Sequence, residues 1–206
     1  MRRFSFGHVS YTIDFVDIAT GWTEQRAVWG KGEKGVLEQI KDVEIMLPFP
    51  LLGFDSDNGG EFLNYHLFRH FTDRKQPISF TRSRAYHKDD NAHIDQKNWT
   101  HVRQWLGYQR LDNPKMVSLM NNLYRNEWRL FHNFFLPSVK LIEKERIGSK
   151  TIKKHDAPKT PYQRIMESKH VDDAVKLSLT KQLELLNPFE LNNIMQMKLK
   201  KITRLR

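Results

Sequence analysis

The 206-residue sequence contains no cysteine. Disulfide bonds, thiol nucleophiles and cysteine-ligated zinc sites are therefore excluded. The sequence also lacks any apolar run near the roughly 20 residues that a membrane-spanning helix requires, and Met1-Arg2-Arg3-Phe4 leads into no apolar signal core. These absences predict a soluble protein that works in the cytoplasm and has no membrane partner.

Acidic residues are the scarcer charged class. The chain has 24 Asp and Glu against 34 Lys and Arg, which gives a formal net charge of +10. A field of this sign attracts polyanions over long distances, so nucleic acid is the leading candidate partner. Charge alone favours nucleic-acid binding no more than its absence, because many basic proteins bind no specific polyanion. With 39% hydrophobic residues, the chain has enough apolar material for a packed core.

Strand and helix patterns alternate in the first half of the chain. Strands are indicated by β-branched and aromatic residues next to turn residues, and helices by apolar residues at three- and four-residue intervals. The predicted order is a hairpin over 11–29, a helix over 34–46, a strand over 50–54, a helix over 62–71 and a strand over 78–81. Such alternation favours an α/β layer over a bundle or a sandwich.

Helical patterns dominate the second half, interrupted by a charged arm. Helices are predicted over 89–107, 114–135, 171–186 and 191–206. Between them, residues 140–159 are rich in charge and lack a sustained apolar face, which predicts an extended arm or a small strand module. We therefore predict a core over residues 1–136, followed by a C-terminal basic arm and helical tail over residues 137–206.

Two acidic residues, 38 positions apart, are candidates for a metal site. Asp57 follows the strand predicted at 50–54, and Asp95 lies where a helical pattern begins. Two carboxylates from a strand end and a helix are what a two-magnesium phosphoryl-transfer site needs from its protein. Taken alone, Asp57-Asn58-Gly59 also has the composition of an ordinary turn, and Asp95 has that of a solvated helix acid.

Together, the motifs resemble the integrase catalytic core of bacterial insertion-sequence transposases, which are DDE-type proteins of the ribonuclease-H-like superfamily. The resemblance covers about residues 11–165. It rests on Asp17-Ile18-Ala19-Thr20-Gly21-Trp22, Asp55-Ser56-Asp57-Asn58-Gly59 with Phe62, Asn91-Ala92-His93-Ile94-Asp95-Gln96-Lys97-Asn98, Asn133-Phe134-Phe135-Leu136-Pro137-Ser138 with Lys140-Leu141, and Thr160-Pro161-Tyr162-Gln163-Arg164.

The resemblance implies a fold, a reaction and partners. The fold is an α/β, ribonuclease-H-like mixed sheet flanked by helices. The reaction is attack by water or a 3′-hydroxyl on a DNA phosphodiester, with two Mg²⁺ (or Mn²⁺) ions bound through Asp57 and Asp95 as the catalytic and metal-ligating residues. The implied partner is DNA, both transposon ends and target, and an intact relative is expected to form a homo-oligomer.

Two departures from the family pattern bear on activity. The family usually has Glu where this chain has Asp95, whose side chain is one methylene shorter. The family's first acid lies on a strand upstream of the hairpin, but residues 1–10 contain no Asp or Glu. Asp14 does not match that position, and the alternative is that it replaces the missing acid from a neighbouring strand. We therefore expect an N-terminally truncated core without its first strand, and impaired strand transfer or nicking.

Basic residues in two segments are candidate nucleic-acid contacts. Lys97 and Arg103 follow Asp95 on the predicted helix. The arm contains Lys144, Arg146, Lys150, Lys153, Lys154 and Lys159, and Lys150, Lys153 and Lys154 are its leading candidates. Phosphate contacts of this kind position nucleic acid without reading its sequence, although a solvated helix face or a charged linker explains the same residues.

Three functional classes remain. The first is a transposition enzyme, impaired by loss of the first acid. The second is a non-catalytic DNA-binding or assembly remnant of a transposase. The third is a nuclease of the same fold that acts on RNA or RNA–DNA hybrids.

Overall fold

The structure is a computed structural model that describes residues 9–56, 65–82, 98–107 and 111–205. Its elements are β1 (Ser10–Val16), β2 (Thr23–Trp29), α1 (Glu33–Met46), β3 (Gly53–Ser56), α2 (Tyr65–Thr72), β4 (Ser79–Arg82), a π-helical segment (Asn98–Arg103) leading into α3 (Gln104–Leu106), α4 (Lys115–Leu123), a π-helical segment (Tyr124–Trp128) leading into α5 (Arg129–Phe135), β5 (Leu141–Ile147), β6 (Lys150–His155), α6 (Pro161–Glu167), α7 (Asp173–Glu184) and α8 (Pro188–Thr203). The described part of the chain is therefore mixed α/β. None of the described helices is long and apolar enough to cross a membrane.

The described strands pair two by two. β1 and β2 form an antiparallel hairpin, β3 and β4 are parallel, and β5 and β6 form a second antiparallel hairpin. The predicted first hairpin and the extended arm are thus confirmed as strand pairs. The strand predicted over 50–54 is found as β3, which begins three residues later and ends two residues later than predicted.

The first hairpin closes through turn chemistry at Asp17. Its carboxylate accepts hydrogen bonds from the backbone N–H of Thr20 at 2.7 Å and from the Thr20 hydroxyl at 2.5 Å. Its carbonyl accepts the N–H of Gly21 at 2.7 Å. Gly21 has φ +76°, a left-handed conformation that glycine adopts without steric cost. This part of the transposase-like motif therefore has a structural role of its own.

Two asparagine side chains close the edge of β2 that faces away from β1. Asn121 accepts the N–H of Ala27 at 2.7 Å and donates to its carbonyl at 2.9 Å. Asn133 makes the same pair of bonds with Thr23, both at 2.8 Å. A carboxamide carries the same donor and acceptor as a peptide group. These two side chains therefore substitute for a neighbouring strand.

Both asparagines lie on one helical rod, formed by α4, the π-helical segment after it and α5. The rod confirms the helix predicted over 114–135. On one side it packs against β2 and α8, through a cluster that includes Met116, Met120, Trp128 and Met195. The C-terminal helix α8 is therefore built into the core beside the first hairpin.

Two further apolar clusters complete the described core. α1 and α2 pack against β1, β3 and β4 through residues such as Ile13, Ile40 and Phe71. Trp22 and Phe134 meet α6 and α7 in the third cluster. Trp99 falls within a helical sequence pattern, which favours core packing over base stacking, but its side chain is 48% exposed, so that expectation is wrong. The helix carrying it presents this ring to solvent.

Candidate nucleic-acid interface

The β5–β6 hairpin forms a ribbon, residues 141–155, in which every residue is exposed. Its strands pair up to Ile147 and Lys150, which leaves a two-residue turn of Gly148 and Ser149. Gly148 has φ +62°, and the tight turns that suit hairpins require positive φ at this first position. The ribbon thus has regular pairing from Glu143 to Lys154, with a register shift between Leu141 and Glu143, and no apolar core of its own.

The pairing register places the acidic residues of the ribbon on one face. Glu143 lies opposite Lys154, and Glu145 lies opposite Ile152. Because side chains alternate between the two faces of a strand, Lys150 belongs to this face as well. Two of the three lysines selected from the sequence, Lys150 and Lys154, therefore share a face with both acids of the paired strands.

The opposite face of the ribbon is basic. Lys144 lies directly opposite Lys153, and Arg146 lies opposite Thr151. We call Lys144, Arg146 and Lys153 the basic face. Like charges that face each other across a strand pair are destabilising by a few tenths of a kcal/mol up to about 1 kcal/mol. A bound polyanion would remove that repulsion, since its phosphates would lie between the cations.

The base of the ribbon is held by Arg164 on α6. Its guanidinium donates to the Asp156 carboxylate at 2.5 Å and to the carbonyl of Ser138 at 2.7 Å. Asp156 also accepts the backbone N–H of Lys140 at 2.6 Å. Ser138 and Lys159 form an isolated antiparallel bridge at the same point. The ribbon therefore leaves the core from a fixed position.

Lys140 connects this base to the first hairpin. Its ammonium group donates to the carbonyls of Ile18 and Ala19, both at 2.5 Å, in the turn between β1 and β2. Burial and the nearby Arg164 lower the pKa of Lys140, and the opposing effects of Asp17 and Asp156 are smaller. The basic ribbon is thus tied directly to the Asp17 turn.

The motif Thr160-Pro161-Tyr162-Gln163-Arg164 builds the helix that carries this anchor. The Thr160 hydroxyl accepts the N–H of Gln163 at 3.1 Å, and the Gln163 side chain accepts the N–H of Thr160 at 2.8 Å. This reciprocal cap satisfies donors that a helix start leaves unpaired. Tyr162 stacks on Phe134, with ring centroids 5.3 Å apart. The cap formed by Thr160 and Gln163 and the stacking of Tyr162 therefore set the position of Arg164.

Acid should weaken the ion pair between Arg164 and Asp156 at the base of the ribbon, in a defined pH range. The hydrogen bonds from Arg164 and from the Lys140 backbone lower the pKa of Asp156 to about 2, against about 3.9 for an unperturbed Asp. Because the folded pKa is the lower one, the stabilisation is fully present above about pH 4 and is lost as pH falls through 2. We expect the NMR titration midpoint of the Asp156 carboxyl near 2, moving up in Arg164→Met. A wild-type midpoint above 3.5, or no change in the variant, would contradict this assignment.

The remaining sequence-predicted site residues are placed only in part. Asp57, Asp95 and Lys97 lie outside the described residues. Arg103 is exposed at the end of the π-helical segment before α3. Within the described ranges, no group of three His, Asp or Glu side chains is placed to hold a metal ion. The two-magnesium site therefore stays a prediction.

The sequence contains a signal for the basic face that a count of charges misses. Glu143-Lys144-Glu145-Arg146 alternates acid and base with a period of two residues. In a strand, that period sends all the acids to one face and all the bases to the other. The leading candidates from the sequence, Lys150, Lys153 and Lys154, therefore include one residue of the basic face, Lys153.

Comparison with known proteins gives one informative similarity. No protein-family model matches the chain. The chain is similar to "Uncharacterized protein y4rM" of Sinorhizobium fredii (strain NBRC 101917 / NGR234), with 39% identity over 160 residues, which are 78% of this chain and 45% of that protein. The chain thus spans less than half the length of this relative.

Proposed function

We propose that this protein binds DNA through the basic face of the ribbon. The observation that carries the proposal is the register, which places Lys144 opposite Lys153 with Arg146 beside them. A two-stranded ribbon fits the major groove of B-DNA, which is about 12 Å wide. We expect the lysine side chains of the basic face to contact the DNA phosphates that border the groove. Phosphate contacts depend little on base sequence and strongly on salt concentration.

Two double variants with the same charge change test this proposal. We expect Lys144→Gln/Lys153→Gln to reduce the slope of log affinity against log salt by about 1.8, since each lost phosphate contact removes about 0.9. Lys150→Gln/Lys154→Gln removes two lysines from the opposite face and should leave the slope nearly unchanged. The measurement is fluorescence anisotropy with a labelled 20-base-pair duplex (a length of about two helical turns) over a range of salt concentrations. Equal losses in both variants would show that the ribbon acts only through its net charge.

We infer further that the N-terminal part is a ribonuclease-H-like core of the transposase and integrase type. The order of the described elements supports this, as does the parallel pairing of β3 with β4 across α2. Asp57 directly follows the last residue of β3 in the sequence, and the ends of parallel strands are where such folds place ligands. On this proposal Asp57 and Asp95 bind Mg²⁺ or Mn²⁺, the protein acts in the cytoplasm, and intact relatives form homo-oligomers on DNA.

A nicking assay tests whether the chain retains catalytic activity. We expect no appreciable nicking of supercoiled plasmid by the purified chain in Mg²⁺ or Mn²⁺, because residues 1–10 contain no Asp or Glu to serve as the first acid of the family site. DNA binding should persist in the same samples. DNA binding without nicking is the behaviour expected of the non-catalytic remnant of a transposase. Metal-dependent nicking that is abolished by Asp57→Asn would overturn the expected impairment. Sensitivity of that activity to Asp14→Asn would then identify Asp14 as the replacement acid.

A further inference from the structure

Arg146 occupies the position of the basic face that lies nearest the turn of the ribbon. It lies opposite Thr151, one step along the face from the pair Lys144 and Lys153. Threonine is short, so no large side chain faces the arginine across the ribbon. The next residue, Ile147, belongs to the opposite face because side chains alternate along a strand. Arg146 is therefore the last cation of the basic face before the tip.

The guanidinium group of Arg146 is held at the tip by its Nε atom. Nε donates a hydrogen bond to the carbonyl of Gly148, in the turn, at 3.2 Å. An exposed arginine otherwise samples many rotamers, and it loses that freedom when it binds a ligand. A bond that restricts the side chain beforehand reduces this loss and so favours binding. The ribbon thus presents Arg146 in a partly fixed orientation.

The bond through Nε leaves the outer edge of the guanidinium group open. In the described part of the chain, no hydrogen bond or ion pair engages the Nη1 or Nη2 atom of Arg146. These two nitrogens carry parallel N–H donors on a rigid planar fork. In DNA, the fork matches two acceptors, either the oxygens of a phosphate or the O6 and N7 atoms of guanine in the major groove.

The position of Arg146 favours guanine over phosphate. The major groove is about 12 Å wide, so the phosphates lie roughly 6 Å to either side of a ribbon that follows its middle. Lys144 and Lys153 lie on different strands and repel each other, so we expect them to extend toward opposite walls of the groove. Arg146 is tied to the turn that joins the two strands. Its fork is therefore directed at the floor of the groove, where the base edges lie.

We propose that Arg146 makes a bidentate contact with O6 and N7 of a guanine in the major groove, which gives the ribbon a preference for G·C base pairs in B-form DNA. This inference rests on the proposed binding of DNA by the basic face. It adds recognition of a base to the phosphate contacts of the two lysines. A lysine at the same position would supply the charge but not the paired donors.

Two labelled duplexes of equal length test the contact, one with only G·C pairs and one with only A·T pairs. We expect the wild-type chain to bind the G·C duplex at least about fivefold more tightly at the same salt concentration, the lower end for one arginine–guanine pair. In Arg146→Lys, the preference should fall below about twofold, while the slope of log affinity against log salt stays unchanged. Arg204→Lys, at an exposed position just after α8, is the matched control and should keep the wild-type preference.

A change in the DNA tests the same contact without altering the protein. Replacing guanine by 7-deazaguanine converts N7 into a C–H group, which removes one of the two acceptors and leaves the charge of the duplex unchanged. We expect the wild-type chain to lose most of its preference for the G·C duplex. The affinity of Arg146→Lys should not respond to this replacement, because the variant has no paired donors for the two acceptors.

The outcomes distinguish a failure of this inference from a failure of DNA binding itself. Equal affinity for the two duplexes, with a salt slope that still responds to Lys144→Gln/Lys153→Gln, would overturn the guanine contact alone. A G·C preference that survives in Arg146→Lys, or with 7-deazaguanine, would also overturn it, since another feature of the duplex would then be recognised. Binding of neither duplex would overturn the guanine contact and the DNA proposal together.

Discussion

Glu24→Gln is expected to destabilise the protein by about 3–5 kcal/mol, the usual loss when one partner of a buried ion pair is removed. Glu24 is fully buried in β2. It accepts hydrogen bonds from Arg129 at 2.8 Å, from the Trp22 indole at 3.0 Å and from Arg26 at 3.4 Å. Glutamine keeps the shape but loses the negative charge, so two guanidinium groups remain in the core with too little to balance them.

Asp42 compensates only part of this loss. It accepts Arg26 at 2.5 Å and Arg125 at 2.9 Å, and its side chain is 30% exposed. Burial raises its pKa, but the two arginines outweigh that effect and the pKa is lowered overall. Arg26 therefore keeps one carboxylate in the variant, whereas Arg129 keeps a hydrogen bond to the carbonyl of Met46 at 2.8 Å and a position 5.8 Å from the centroid of the Trp22 ring.

Urea unfolding measures the expected loss. Glu38→Gln on the exposed face of α1 is the matched control, and it should change the free energy of unfolding by less than about 0.5 kcal/mol. Asp42→Asn should give an intermediate loss, because solvent reaches that carboxylate. A loss below about 1 kcal/mol in Glu24→Gln would show that water or rearrangement satisfies the two arginines.

Asn133→Leu is the second substitution with a large expected effect. Asn133 is fully buried, and leucine of similar volume would leave both the N–H and the C=O of Thr23 without their partner. Each buried polar group that loses its hydrogen bond costs about 1–3 kcal/mol, so for the two groups we expect a loss of about 2–6 kcal/mol. The amide of Thr23 should also exchange faster in native-state hydrogen exchange.

Asn126→Leu is the control on the same rod. Asn126 is exposed and bonds only within the helix, to the carbonyl of Asn122 at 2.7 Å. Its replacement should change stability by less than about 0.5 kcal/mol. If Asn133→Leu cost no more than this control, the asparagine would not be holding the strand edge.

The predictable parts of the fold are those specified by local pattern. The first hairpin and the long helix followed from alternation, turn residues and helical spacing, and each is found close to its predicted bounds. The apolar run over 50–54 predicts β3, yet Leu52 within that run lies before the strand and is 81% exposed. The strand is set instead by pairing with β4, a contact between distant segments that hydropathy does not report.

The asparagine pairs and the faces of the ribbon depend on register. Asn121 and Asn133 are ordinary polar residues of a helix until the position of β2 beside them is known. The ribbon was predicted as extended, and its charge alternation was readable, but the assignment of Lys153 to the face of Lys144 requires the turn at Gly148. For Asp57 and Asp95, the sequence remains the only source of the prediction.

The asparagine-capped edge also makes the first hairpin grow in one direction only. With amide side chains occupying the outer donors and acceptors of β2, no further chain can hydrogen-bond there without first displacing the helical rod. Strand addition to this hairpin is therefore blocked at Thr23 and Ala27 of β2. Shielding β1 alone is expected to keep this hairpin from templating such growth.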